Sequence, residues 1–246
     1  MNIIYEPKGR AKEYSDLACH VYMGCPHGCT YCFAPGCMRK KAEEWHGQTY
    51  IRSKALELFR KDAKKLYETH DKRPILFSFL SDPYQPLEGE LHLTRQCLQI
   101  VKEYGLSSKI LTKGKAEYIE PDLELIKAAG TELGITISFM DDDKRRIWEP
   151  EAAPIEERVI ILKKAHQMGI YTWVSLEPVI DPKEALRVIS ELSQFVDYWK
   201  IGKLNHNKEV EKSVDWYGFR VKAEELLEKI GAKYYIKEDL RKAKKN

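Results

Sequence analysis

Cys25-Pro26-His27-Gly28-Cys29-Thr30-Tyr31-Cys32 sets three thiols in a C-x3-C-x2-C spacing. The stretch follows an apolar run from Leu17 to Met23, so the thiols stand on a loop at the end of a predicted strand. Three soft thiolates on one short loop suit three corners of an iron–sulfur cube. A cube needs four ligands, and this loop offers no obvious fourth. An iron without a protein ligand is open to a substrate or cofactor. Structural zinc is the competing interpretation, with Cys37, His27 or His20 completing the set. Zinc loops more often pair one C-x2-C with a second, and the chain has no second pair.

Beyond this loop, apolar runs alternate with amphipathic ones. Strands are predicted at 75–80, 108–112, 133–139, 171–176 and 196–201, with a short extra one at 234–236. Helices are predicted at 51–69, 91–104, 121–129, 155–168, 182–193 and 210–230, several closed by glycine. Strands each followed by a helix imply a parallel sheet with crossover helices. With the strand that enters the cysteine loop, the count is about six β/α units. A full barrel of this type has eight units and roughly 250 residues. The expected fold is therefore α/β, a partial (β/α)6 TIM-type barrel of parallel strands, formed as one domain over 1–246. Such architectures bind ligands at the carboxyl ends of their strands. Those ends carry the cysteine loop, Ser81-Asp82, Thr112-Lys113, Ser138, Glu177-Pro178 and the stretch from Lys203 to Asn205.

Composition narrows the partners. Of the 246 residues, 32% are charged, yet the net charge is only +3, which by itself does not argue for nucleic acid. The basic 232–246 tail reads as a solvated, frayed helix end. Cys19, Cys37 and Cys97 read as free thiols. No basic-then-apolar leader opens the chain, and no apolar run approaches the roughly 18 residues a membrane span needs. A soluble, cytoplasmic protein without a membrane partner is expected, and the tight cysteine triplet suits a reducing compartment.

The C-x3-C-x2-C triplet, with Tyr31 before its last cysteine, resembles the signature of the radical S-adenosylmethionine enzymes. Phe79-Leu-Ser-Asp82-Pro-Tyr-Gln-Pro-Leu-Glu88, Leu93-Thr-Arg95, Leu111-Thr-Lys113 and Leu176-Glu-Pro178 resemble the subgroup that contains spore photoproduct lyase. The resemblance implies that Cys25, Cys29 and Cys32 ligate a [4Fe–4S] cluster whose fourth iron chelates S-adenosylmethionine. Reductive cleavage of that cofactor would give a 5′-deoxyadenosyl radical that abstracts hydrogen from an unknown substrate, the electron coming from a donor such as flavodoxin or ferredoxin. It further implies Ser81 and Asp82 near the methionyl ammonium, Lys113 on the methionyl carboxylate, Ser138 as a hydroxyl on the cofactor, and Tyr31 near the adenine. Glu177 would meet ribose hydroxyls or substrate.

The chain departs from the lyase pattern at two places. Leu80 stands where that lyase has a cysteine before its Ser-Asp segment, and Phe33 where it has a tyrosine after its last cluster cysteine. Neither side chain can donate a hydrogen from sulfur or oxygen, which argues against the photoproduct-lyase reaction itself. Cys37, close behind the triplet, is the candidate for a thiyl role. Three functions compete: a radical enzyme acting on nucleic acid or a nucleotide, one acting on a peptide, protein or small metabolite, and a non-catalytic zinc or iron–sulfur interaction protein.

Overall fold

Ile75-Leu-Phe77 is buried at every residue, as a strand covered on both faces must be. It is one of eight strands in a single sheet. A computed structural model describes residues 2–245; Met1 and Asn246, the ends of the expected domain and the last residue of its tail, lie outside the described residues. The strands are β1 (Ile4–Tyr5), β2 (Leu17–Cys19), β5 (Ile75–Phe77), β6 (Ser108–Thr112), β7 (Glu132–Thr136), β8 (Thr172–Val179), β9 (Tyr198–Lys203) and β10 (Tyr234–Ile236). A separate hairpin joins β3 (Tyr22–Met23) to β4 (Tyr50–Ile51). Sheet order is β1-β2-β5-β6-β7-β8-β9-β10. From β2 to β10 every pairing is parallel, and only β1 runs antiparallel at the edge. The sheet order does not bring β10 back to β1, so the barrel is open.

The helices follow from local chemistry. Helix Pro182–Leu192 begins where Asp181 Oδ1 accepts the Lys183 N–H at 2.9 Å, with proline in the first turn. Helix Ile155–Gln167 buries Ile155, Ile161, Leu162 and Ala165 along one stripe, and Arg158 lies on that same stripe. Between helices and sheet lies the main core, with Phe59, Leu98, Ile110, Ile126, Leu162, Ile189 and Trp199 fully buried. Each such side chain stabilises by ~1.5–3 kcal/mol. The inner face of the sheet holds a second cluster of Ala18, Leu76 and Trp173, packed by Tyr14, Phe79 and Leu111.

Four expectations change. β5 stops at Phe77 rather than Leu80, because the chain turns at Phe79, which takes φ 87°. The expected 210–230 helix is two, Lys208–Ser213 and Trp216–Lys229, since Asp215 Oδ1 accepts the Gly218 N–H at 2.9 Å and starts the second. A helix at Asp142–Trp148, capped by Asp141, was not legible as a separate element. The tail is not a frayed end over 234–241: it supplies β10 and a turn of helix at Glu238–Arg241, and Lys237 between them is 3% exposed.

Candidate active site

The cysteine loop leaves β3 at Gly24, where a φ of +80°, and a Cβ that would fall 2.0 Å from the Gln48 carbonyl oxygen, admit no side chain. Several bonds pin the loop. The Cys25 N–H donates to Trp45 O at 3.3 Å and the Thr30 N–H to Trp148 O at 2.9 Å. His46 Nδ1 lies 2.7 Å from Cys25 O. The backbone N–H groups of His27 and Asp82 pull the Cys25 thiol down against burial, and that of Ala34 does the same for Cys32. Such donors favour thiolates and recur around iron–sulfur centres. Among the described residues, no three His, Cys, Asp or Glu side chains are drawn together as a metal site. The loop, not convergence of the sulfurs, groups the trio.

Burial pushes the Cys25 thiol up, and that of Cys29 up to about 12, the latter against the pull of Lys113. Thiolates form in such surroundings against a strong local positive charge, and a metal ion supplies the largest one. The donor set therefore fits a metal centre.

Asp82 organises the neighbouring strand ends. Its Oδ1 accepts the Tyr84 N–H at 2.9 Å and the Thr112 hydroxyl at 2.5 Å; its Oδ2 accepts the Lys113 N–H at 2.7 Å. His27 Nδ1 lies 3.6 Å from the same Oδ2, and burial pushes this imidazole below its usual range despite the carboxylate. Ser81 turns inward, donating to Gly24 O at 2.6 Å and accepting from Gln85 Nε2 at 3.1 Å. The other family-like residues are structural. Glu88 accepts the Thr94 and Arg95 N–H groups and the Tyr22 hydroxyl, fixing the start of helix Leu93–Tyr104, and Arg95 bonds Asp122.

Lys113 lies 5.6 Å above the Tyr31 ring. Burial lowers its affinity for a proton, but Cys29, Glu149 and Asp82 together outweigh burial and leave it raised. The Tyr31 phenol donates to Glu149, whose other oxygen is 2.6 Å from Arg158 Nη1, both side chains 0% exposed. Ser138 Oγ, just past β7, is fully buried and has no hydrogen-bond partner among the described residues. An orphaned hydroxyl at a strand's carboxyl end suits a bound polar group.

Glu177 stands on β8, the strand beside β7, and bonds away from the cysteine loop. Its Oε1 accepts Lys237 Nζ at 2.7 Å and its Oε2 the Tyr14 hydroxyl, which also meets Ser175 Oγ at 2.8 Å. None of these partners belongs to the cysteine loop or the Asp82 group. Cys37 is exposed on helix Ala34–Met38, one turn after Phe33, itself 51% exposed. Glu149 and Arg158 were not anticipated as site residues, and His27, named only as a fourth ligand for zinc, lies beside Asp82.

A family model described as the radical SAM superfamily matches residues 20–196. An uncharacterised protein of Methanocaldococcus jannaschii is 27% identical over 75% of this chain and 68% of its own length. An uncharacterised protein of Acidianus two-tailed virus is 25% identical over 76% of the chain and 64% of its own, while uncharacterised mycobacterial relatives are matched over 48% of theirs. Among solved structures, a spore photoproduct lyase variant with bound AdoMet and dinucleoside spore photoproduct has a TM-score of 0.71 at 12% identity, covering 94% of this chain and 78% of that one. Streptococcus suis SuiB bound to S-adenosylmethionine has a TM-score of 0.64 at 10% identity, covering 89% and 49%. These likenesses give the partial TIM barrel fold. No described helix is long and apolar enough to cross a membrane. With the family model spanning well over half of its residues, the chain belongs to the radical SAM superfamily and is a radical SAM enzyme.

Proposed function

We propose that Cys25, Cys29 and Cys32 hold three irons of a [4Fe–4S] cluster and that S-adenosylmethionine takes the fourth. The observation that carries this is the cysteine loop bonded into the same strand-end group as Asp82, Lys113 and the unpartnered Ser138. When bound and reduced by an external one-electron donor of the flavodoxin or ferredoxin kind, the pair supplies a carbon radical able to take hydrogen from substrate. The chain's own residues bind and orient. Lys113 offers its ammonium to the methionyl carboxylate. Asp82 Oδ2 keeps acceptor capacity for the methionyl ammonium. Ser81 anchors the loop rather than the ligand. Ser138 offers its hydroxyl, and Tyr31 walls the adenine side. We assign Glu177, with Tyr14 and Lys237, to the substrate end. Cys37 receives no role in this proposal.

The substrate we place first is a nucleic acid or nucleotide, because of the resemblance to the lyase subgroup. A peptide or small metabolite is the second reading. It is favoured by a specific observation: Lys237 of the basic tail is buried on Glu177 and so is not free for phosphate. An anaerobically reconstituted sample tests the enzyme. It should be brown and release 5′-deoxyadenosine from S-adenosylmethionine on reduction. A colourless zinc protein that leaves the cofactor intact overturns the proposal. Salt-dependent DNA or RNA binding separates the two substrate classes.

A further inference from the structure

The cluster-loop proposal leaves unused a buried ion pair beside it. Glu149 and Arg158 are each 0% exposed at the side chain and stand 2.6 Å apart. Burying two charges is costly, and such a pair is often no more stable than a well-packed apolar one. Its position points to a task. Glu149 follows helix Asp142–Trp148 in the segment that clamps the cysteine loop. Thr30 N–H donates to Trp148 O, Glu151 N–H to His27 O at 3.1 Å, and Ala153 N–H to Lys113 O at 3.0 Å. Arg145 stiffens that segment by donating to Glu149 O, Pro150 O and Ala152 O. Arg158 ties it to β7 through Ala153 O and Thr136 O. The phenol of Tyr31, between Cys29 and Cys32, ends on Glu149.

Lys113 lies 5.6 Å from the Tyr31 ring, whose phenol reaches Glu149, and Glu149 pairs with Arg158, so two cations and an anion stand beside the Cys29–Cys32 half of the loop. Asp82, which Lys113 also faces, brings the set to two cations and two anions. We propose that Glu149 is a positioning residue that also sets the reduction potential of the cluster: it seats the Cys29–Cys32 half of the loop through Tyr31, and it offsets the two cations beside Cys29. This rests on the three cysteines being cluster ligands. Adding an electron makes the centre more negative, so an anion nearby disfavours reduction and a cation favours it.

Two variants move the same hydrogen bond in opposite electrical directions. Glu149→Gln keeps an acceptor for Tyr31 but leaves Arg158 without its counter-charge and Lys113 with Asp82 alone. Its midpoint potential, followed by the EPR signal of the reduced cluster, should rise by at least a tenfold change in the reduction equilibrium, about 59 mV for one electron. Tyr31→Phe keeps the ring under Lys113 but removes the proton donor that partly screens the Glu149 carboxylate. Its potential should fall, by less. This second variant leaves the buried pair intact and so keeps the fold if Glu149→Gln does not. A merely structural role shifts neither potential, or shifts both the same way, and either result overturns the proposal, as does an unchanged Tyr31→Phe potential alone. Iron content and colour of the wild type test the underlying ligand assignment separately. A wild type that takes up no iron overturns that assignment and this proposal together, whereas loaded variants with matching potentials overturn only this one.

Discussion

Oδ2 of Asp82 accepts the backbone N–H of Lys113 at 2.7 Å, so the turn after β5 and the residue after β6 form one unit. The same carboxylate holds the Tyr84 N–H and the Thr112 hydroxyl. Gly114 completes the join, since a side chain there would meet Tyr84 O at 2.4 Å. Asp82→Ala removes three acceptor bonds at once. Leaving buried donors unpaired costs ~1–3 kcal/mol each, and partial relaxation brings the expected loss to ~3 kcal/mol. Urea unfolding of the metal-free protein measures it. A loss below about 0.5 kcal/mol shows that the unit is not held by this carboxylate.

Lys113 lies 5.6 Å above the Tyr31 ring, and the carboxylates of Glu149 and Asp82 favour its charged form. Lys113→Met keeps the stem and deletes the ammonium. A charge-assisted bond contributes ~1.5–3 kcal/mol, so S-adenosylmethionine should bind about 10- to 100-fold more weakly. Iron content should stay at the wild-type level. Equilibrium dialysis with labelled cofactor gives the affinity, and an unchanged value removes Lys113 from the cofactor site.

Cys29 is the middle thiol of the loop, and its protonation is influenced by Lys113, Glu149 and Arg158. Cys29→Ala should abolish cluster assembly, leaving a colourless protein with background iron and no 5′-deoxyadenosine release. Cys97→Ala is the control, since that thiol is fully buried within helix Leu93–Tyr104 and away from the loop. Retained iron in Cys29→Ala refutes its role as a ligand.

Strand–helix alternation was legible because each strand is a short apolar run and each helix a stripe. The six crossovers from β2 to β10 match the expected six units. The strand-end residues were legible for the same reason: once strands are known, their carboxyl ends follow. What Asp82 and Glu88 do was not legible, because their partners come from distant strands and helices. Glu149 gave no signal at all, standing in an irregular segment after a short helix. Arg158 gave one. Ile155, Arg158, Leu162 and Ala165 fall at helical spacing on one face, so an arginine occupies the core stripe and must bring a buried partner. The inward turn of Lys237 was hidden by its basic neighbours, which read as a solvated run.

Lys200 offers a pH test of the barrel interior. It stands on β9 with Nζ 4.6 Å from the Tyr14 ring centre and 5.5 Å from that of Tyr235, and donates to the Glu13 carbonyl. Burial, then the cations of Lys109 and Lys237, lower its pKa from the usual 10.5 to about 8, against Glu177 and Glu13. Below pH 8 both folded and unfolded chains hold the proton, and the folded state bears the buried charge. Between about 8 and 10.5 the unfolded chain binds more protons, so this lysine makes stability rise with pH. The rise is ~3 kcal/mol across the window, at about 1.4 kcal/mol per unit. Tyrosines such as Tyr5, pushed up to about 12 by burial, act oppositely above pH 10, so the wild type must be compared with Lys200→Met. The stability of the wild type minus that of the variant should be flat from pH 6 to 7.5 and climb from pH 8 upward in urea unfolding. A difference that stays flat to pH 10 means that Lys200 keeps an ordinary ammonium, open to water, and that the barrel interior is wet at β9.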